Sequence, residues 1–309
     1  MKGGAAMRSG TKLGAVKRDY QLWLMILPAI AVIFIFNYIP MYGVQLAFRD
    51  YDFSKGLTGG EWKGLFYFKQ FIESYLFSDL MRNTFLISLS TIIIGFPAPI
   101  ILALVLNQIR QKSMKNLMQT TVYLPHFISV IVLVGMLNVL LSPETGIVGH
   151  LMKAVGLGHI NLLASSNTFI PTYVISDIWQ HCGWNSIIYL AALSGIDPQL
   201  YDSAKIDGAN RWQTIRYIDF PALKPTIVIL FILSMGGILS TGFEKIFLMQ
   251  NALNLPVSEV IATYVYKIGI VSNQFSYASA IGLFNTIINF IFLFTMNAIS
   301  RRVSDTSLF

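Results

Sequence analysis

Six mostly apolar windows run through this chain, at residues 22–48, 84–107, 118–141, 170–194, 226–247 and 278–299. About 20 such residues cross the hydrocarbon core of a bilayer as a helix. A buried window in a soluble fold would be balanced by a charged surface, and that surface is missing. Only 12% of the 309 residues are charged, against roughly a quarter in a soluble domain. The expected fold is therefore an all-α integral membrane protein with six transmembrane helices. Gly95, Pro97 and Pro99 interrupt the second window. Such breaks survive in membranes where neighbouring helices or trapped water satisfy the freed backbone groups.

Orientation follows from the lysines and arginines of the short loops. With the N-terminus inside, five fall in the tail 1–21, three in the connection 108–117, four in the loop 196–225 and two at Arg301 and Arg302. These are 14 of the 22 in the chain. The connection 108–117 carries Arg110, Lys112 and Lys115 and no acid. Both termini are expected in the cytoplasm, with a basic tail over 1–21, the membrane domain over 22–299 and a short tail over 300–309. The first apolar run is too long for a signal-peptide core and no small-residue cleavage site follows it, so it reads as a retained span. The net charge of +7 is scattered rather than gathered on one run, which argues against a nucleic-acid partner. A single cysteine, Cys182, excludes an internal disulfide framework and a multi-cysteine metal site.

Two stretches carry the chemistry. The first is the loop 196–225, with the run YDSAKIDGANRWQTIRYIDFPALKP. Pro198 suits a first helical turn, Asp207-Gly208 marks a helix end, and Asn210 can cap a second helix. Trp212, Ile215, Ile218 and Phe220 then run toward Pro221, and Pro221 and Pro225 are expected to stop that helix before the fifth span. The expected product is a helix–turn–helix knob on the cytoplasmic face, with Ala204 and Ala209 leaving room for close approach. Four aspartates fit docking to a protein better than rest on anionic lipid.

The second stretch is ISDIWQHCGWNSIIYLAAL in the fourth span. Counted from Asp177, the offsets three, four, seven and eight are Gln180, His181, Trp184 and Asn185, which share one helical face. Polar and ionisable groups in a span face a cavity or a partner. Flat aromatic faces beside planar polar groups suit a sugar. The competing reading is polar contact between helices. Asn285 and Asn289 share a face of the sixth span and are further, weaker candidates. No two histidines have the helical spacing of a metal site, so no metal is expected. The segment 49–83 holds nine aromatic residues among balanced charges. Phe68, Phe71, Ile72 and Tyr75 predict an amphipathic helix along the outer interface, in contact with lipid.

The run Asp202-Ser203-Ala204, then Asp207-Gly208-Ala209, then Ile218 and Pro221, resembles the "EAA" loop of binding-protein-dependent ABC importer permeases. Asp202, Ser203 and Phe220 depart from the family pattern, which has Glu, Ala and Leu there. Glu61-Trp62-Lys63-Gly64-Leu65, Leu124-Pro125-His126-Phe127-Ile128-Ser129 and Ser142-Pro143-Glu144-Thr145-Gly146 are similar to the carbohydrate-uptake branch, in particular to permeases for polysaccharides or complex oligosaccharides. The resemblance implies a type I importer permease of the cell membrane. It makes Asp202, Ser203, Ala204, Asp207, Gly208, Ala209 and Pro221 the contact with an ATPase. It also implies two cytoplasmic ATPase subunits, a second and different permease chain, an extracytoplasmic solute-binding protein and an oligosaccharide substrate. The chain has no Gly-x-x-x-x-Gly-Lys-Ser/Thr loop. It is expected to be a transport subunit rather than an enzyme, with no cofactor of its own and with ATP and Mg held by the partner ATPase. An ion-coupled secondary sugar transporter is the alternative, with Asp177 and Glu244 as its acidic candidates, and an intramembrane enzyme a further one.

Overall fold

The structure is a computed structural model that describes residues 20–56, 59–157, 160–240 and 242–303. The basic residues of the N-terminal tail and the chain end after 303 lie outside the described residues. Four helical spans are long and apolar enough to cross a membrane singly: Tyr20–Phe48, Phe77–Asn107, Arg211–Met235 and Phe275–Arg302. Lys112–Phe127 and Val130–Leu140 make one more span, bent by 97°. The helix Ser166–Ser194 is as long, at 29 residues, or about 43 Å at 1.5 Å per residue. The polar stripe of Asp177 lies on it.

The boundaries differ from the sequence expectation where the chain breaks. The third window is not a straight span: Pro125 sits in a tight turn over Leu124–Phe127, and Ile128 and Ser129 are extended before Val130 restarts the helix. The second span begins at Phe77 rather than 84 and absorbs its prolines through a π-helical turn, Thr91–Gly95. Pro97 then occupies a first-turn position of Pro97–Asn107, where its missing N–H costs nothing.

The fifth span is displaced most. Pro221 and Pro225 do not stop the helix that starts at Asn210; it runs on through both as Arg211–Met235. A π-helical turn, Ile215–Asp219, immediately precedes Phe220–Met235 and places Pro221 at its first turn. The span ends at Met235 instead of 247, at Gly236-Gly237, and Phe243–Met249 is a separate helix.

The segment 49–83 is also not one interfacial helix. Arg49–Asp50 pairs antiparallel with Glu61–Trp62, Phe53–Lys55 makes a short 3-10 turn, and among the described residues only Phe66–Ile72 is α-helical before the second span begins. Phe71 turns inward, 1% exposed, against Phe77, Tyr277 and Phe284. Packing on the sixth span therefore overrides the interfacial stripe.

The second, fourth and fifth spans form the centre. Ile100, Ala103 and Leu106 pack on Tyr189, Leu190 and Leu193, with Leu223 closing the cluster. A Cβ on Gly183 would strike the Val122 carbonyl, so glycine there lets the fourth span lie against the bent third. In contrast, no residue from Tyr20 to Met41 is buried against the rest of the chain.

Beyond the fourth span, Asp197 caps the helix Pro198–Ile206 through the Gln199 N–H at 2.9 Å. That helix closes with the Ala209 N–H on the Ala204 carbonyl (2.8 Å) and the Gly208 N–H on the Lys205 carbonyl (3.1 Å), the paired bonds of a Schellman end. Gly208 has φ +72°. Asn210 and Gln213 then form a reciprocal capping box. A Cβ at 208 meets nothing within 4 Å, so any penalty there is backbone strain alone. Gly208→Val is expected to cost at least about 1–2 kcal/mol, and Gly208→Asn distinctly less, measured by thermal unfolding of the purified protein in detergent.

Candidate functional site

A cavity of about 640 Å³ opens between the second, fourth and fifth spans. Asp177, His181, Trp184 and Asn185 line it from the fourth span, one helical turn after another. Thr91, Gly95 and Pro99 face them from the second span, and Leu233 and Ser234 from the fifth. Cys182 lines it too.

The indole of Trp184 is held from behind. The His126 ring stacks on it at 4.5 Å between centroids and 5° from parallel, and Phe127 meets it edge-on at 5.7 Å. His126 also lies 5.6 Å from the His181 ring. Both His126 and Phe127 come from the tight turn at which the third span breaks. The bend therefore delivers aromatic rings to the fourth span that a straight helix would carry past it.

Gln180 is placed differently. It is 2% exposed, and its Nε2 donates to the Ile128 carbonyl at 2.9 Å. That carbonyl belongs to the extended residue at the break, so the side chain replaces a lost helical bond. Asn285 and Asn289 do similar work at the other break. Asn289 accepts from the Leu239 N–H at 2.9 Å and donates to Ser240 Oγ at 3.0 Å, and Asn285 donates to the Leu239 carbonyl at 3.5 Å. Each of these three amides, candidates for sugar contact from the sequence, makes a bond to backbone, and none lies in the cavity lining. The break positions themselves were the missing signal: an amide near an unwound turn has backbone to satisfy.

Asp177 reaches both ways. Its carboxylate lies 3.4 Å from His181 Nδ1 and 3.3 Å from Lys245 Nζ. Lys245 is buried, at 4% exposure, with its ammonium 3.4 Å from the Tyr173 carbonyl and 4.9 Å from the Tyr173 ring centroid. Lys245 is not among the residues that the sequence singled out. The signal that could have singled it out is a lysine in an apolar window, which needs a counter-charge. Among the described residues no three histidine, cysteine or acidic side chains come together to hold a metal ion.

On the loop face, Asp202, Ser203, Asp207, Gly208 and Pro221 are exposed, while Ala204 and Ala209 are half-buried. Asp202 pairs only with Lys205, at 2.8 Å on the surface. Ile206 and Trp212 project with 86% and 70% exposure.

The described residues form a helical membrane bundle with a polar and aromatic cavity and a tightly capped helix–turn–helix knob. The chain belongs to the family of binding-protein-dependent transport system inner membrane components, whose pattern matches residues 95–305. It is 38% identical over 297 residues to Protein LplB of Bacillus subtilis (strain 168), covering 96% of this chain and 93% of that protein. It is 39% identical over 288 residues to the polygalacturonan/rhamnogalacturonan transport system permease protein YteP of the same organism, covering 93% and 90%. A chain of a bacterial alginate ABC transporter, crystallised in complex with an alginate pentasaccharide-bound periplasmic protein, superposes with a TM-score of 0.87 at 37% identity. That match covers 97% of this chain and 100% of the other. The fold is thus that of a type I ABC permease, a transport component and a multi-pass protein of the cytoplasmic membrane. Family membership decides against the ion-coupled carrier and the intramembrane enzyme left open by the sequence.

Two outcomes follow from this geometry. Lys245→Met alone leaves Asp177 without its buried counter-charge and is expected to cost about 3 kcal/mol or more. Adding Asp177→Asn should recover much of that loss, as read from thermal unfolding of the three variants beside the wild type. The Tyr201 hydroxyl, outside the membrane, is pushed up to about 12 by burial and by its bond to Asp219. Because the folded value lies above the ordinary 10.0, its stabilisation is full below that pH and is lost as pH rises through about 12. Protease resistance of the loop should fall across that window in the wild type, and Tyr201→Phe should lack the step.

Proposed function

We propose that this chain is the permease subunit of an ATP-driven importer that passes an oligosaccharide from an extracytoplasmic binding protein to the cytoplasm by alternating access. The observation that carries the substrate class is the cavity wall of Trp184, Asn185 and His181. One face of the indole is covered by His126, which leaves the other for the C–H face of a pyranose ring. Asn185, with donors and an acceptor, meets hydroxyls. Asp177, neutralised by Lys245, accepts from hydroxyls without imposing a net charge. The relatives named for polygalacturonan/rhamnogalacturonan and for alginate point to the same class of ligand.

ATP, with Mg, is bound and hydrolysed by two separate cytoplasmic subunits, and the loop over Pro198–Ile206 and its Gly208 turn is their contact. Asp202, Ser203, Asp207 and Gly208 form its exposed surface, Ala204 and Ala209 its close-packed base, and Pro221 the entry to the fifth span. A second, different permease chain completes the pore. Three spans of this chain wall one side of the cavity, and the first span has no buried residue from Tyr20 to Met41, so it has a free surface for a partner. The segment 49–83, on the outer side, borders the binding protein.

The test separates sugar contact from helix packing. Trp184→Ala should lower transport and its stimulation by substrate by at least about tenfold, the order of a lost aromatic stacking contact, while the ATPase still co-purifies. Loss of the ATPase instead would assign Trp184 to packing. A cysteine at position 185, in a background with Cys182 replaced, should react with a small water-soluble thiol reagent at a rate that changes with ATP. No reaction in any state would remove the residue from the pathway. Uptake abolished by a protonophore and indifferent to ATP depletion would overturn the ATP-driven reading.

A further inference from the structure

The knob is fastened to the bundle by a carboxylate. Asp219 is fully buried, at 0% exposure, and closes the π-helical turn at the root of the fifth span. Its Oδ1 accepts from the Tyr201 hydroxyl at 2.6 Å and from Asn107 Nδ2 at 3.4 Å. Its Oδ2 accepts from Gln108 Nε2 at 2.8 Å. Asn107 also reaches the Tyr201 hydroxyl, at 3.5 Å. Tyr201 belongs to the helix Pro198–Ile206, and Asn107 and Gln108 to the end of the second span.

A buried carboxylate is costly unless hydrogen bonds compensate it. The compensation here comes from three neutral donors on two other elements. Removing any one strands charge rather than merely losing a contact. A device that only stabilised the fold could use leucines, as Leu106, Leu193 and Leu223 do beside it. Apolar packing, however, slides, whereas hydrogen bonds to one carboxylate hold three elements in a single geometry. The two spans that meet at Asp219 are also cavity walls: the second through Thr91, Gly95 and Pro99, the fifth through Leu230, Leu233 and Ser234. Tyr201 stands on the same short helix as Asp202 and Ser203, the exposed face offered to the ATPase.

We propose that Asp219 is a positioning residue for energy coupling: its carboxylate is the joint through which a displacement of the helix Pro198–Ile206 moves the second and fifth spans together and so reshapes the cavity. This rests on the permease reading above. The joint links the loop and the cavity by a contiguous set of bonds, the physical form that coupling between distant sites requires.

The test needs no knowledge of the sugar, because Cys182 lies in the cavity wall. The whole complex, purified through this chain and placed in liposomes, is treated with a small water-soluble methanethiosulfonate with and without ATP and Mg. Hydrolysis and the labelling rate of Cys182 are followed together. In the wild type the rate should change with ATP. In Tyr201→Phe, which removes one hydroxyl, and in Asp219→Asn, that change per ATP hydrolysed should fall about tenfold, as for a lost hydrogen bond to a charged group. The double variant should fall no further than the larger single one, because both act on one joint. Wild-type change per ATP in both single variants would overturn the joint and leave the permease reading standing. So would a lower yield of complex with an unaltered ratio, which marks a fold clamp. A wild-type Cys182 whose labelling ignores ATP would overturn the permease reading and the joint with it.

Discussion

The hydrogen bond from Gln180 to the Ile128 carbonyl, 2.9 Å long and buried, lets this bundle contain a broken helix. Within lipid no water satisfies a backbone group released at a kink. A span bent by 97° therefore needs a side chain from a neighbour at the bend. Gln180 provides it, and Gly183, three residues on, brings the fourth span close enough to the bent one to do so. The second break, at Gly236-Gly237, is sealed in the same way by Asn285 and Asn289. With both breaks sealed, His126 and Phe127 turn onto Trp184, and the fifth span ends early enough for Lys245 to approach the fourth.

Charge is handled by the same economy. Asp177 sits on the cavity wall, but Lys245 and His181 lie within 3.4 Å of it. The wall therefore offers acceptors and donors with little net field. Asp219 follows the opposite logic: among the described residues it takes neutral donors and no cation, so its geometry rather than its charge balance is what its neighbours share.

Between these two carboxylates lies the cluster of Ile100, Ala103, Leu106, Tyr189, Leu190, Leu193 and Leu223. It is a mostly apolar layer, and its Tyr189 also lines the cavity. The second and fifth spans pass through it, and each carries one π-helical turn. Such turns are wider than the α-helix and are common at functional positions. The two turns sit at different depths, that of the second span in the cavity wall and that of the fifth at the loop.

Local composition decided much of this protein. Long apolar windows, basic short loops and a glycine-hinged charged loop are read one segment at a time, because lipid solvation, the positive-inside bias and a left-handed turn are properties of a segment alone. The EAA-like run and the helical stripe from Asp177 to Asn185 were legible for the same reason. The structure decided whatever needed a second element. Pro221 and Pro225 look like helix stops until a π-helical turn places Pro221 at a first turn. Gln180 shares a face with Trp184 by spacing, yet the Ile128 carbonyl claims it, while Asn285 and Asn289 are claimed by the turn after Met235. Lys245 finds Asp177 across 68 residues and Gln108 finds Asp219 across 111. Helical periodicity tells which side chains share a face; only packing tells which freed backbone group or buried charge that face will meet, because in a membrane those unmet groups are the costliest and take the nearest polar side chain first.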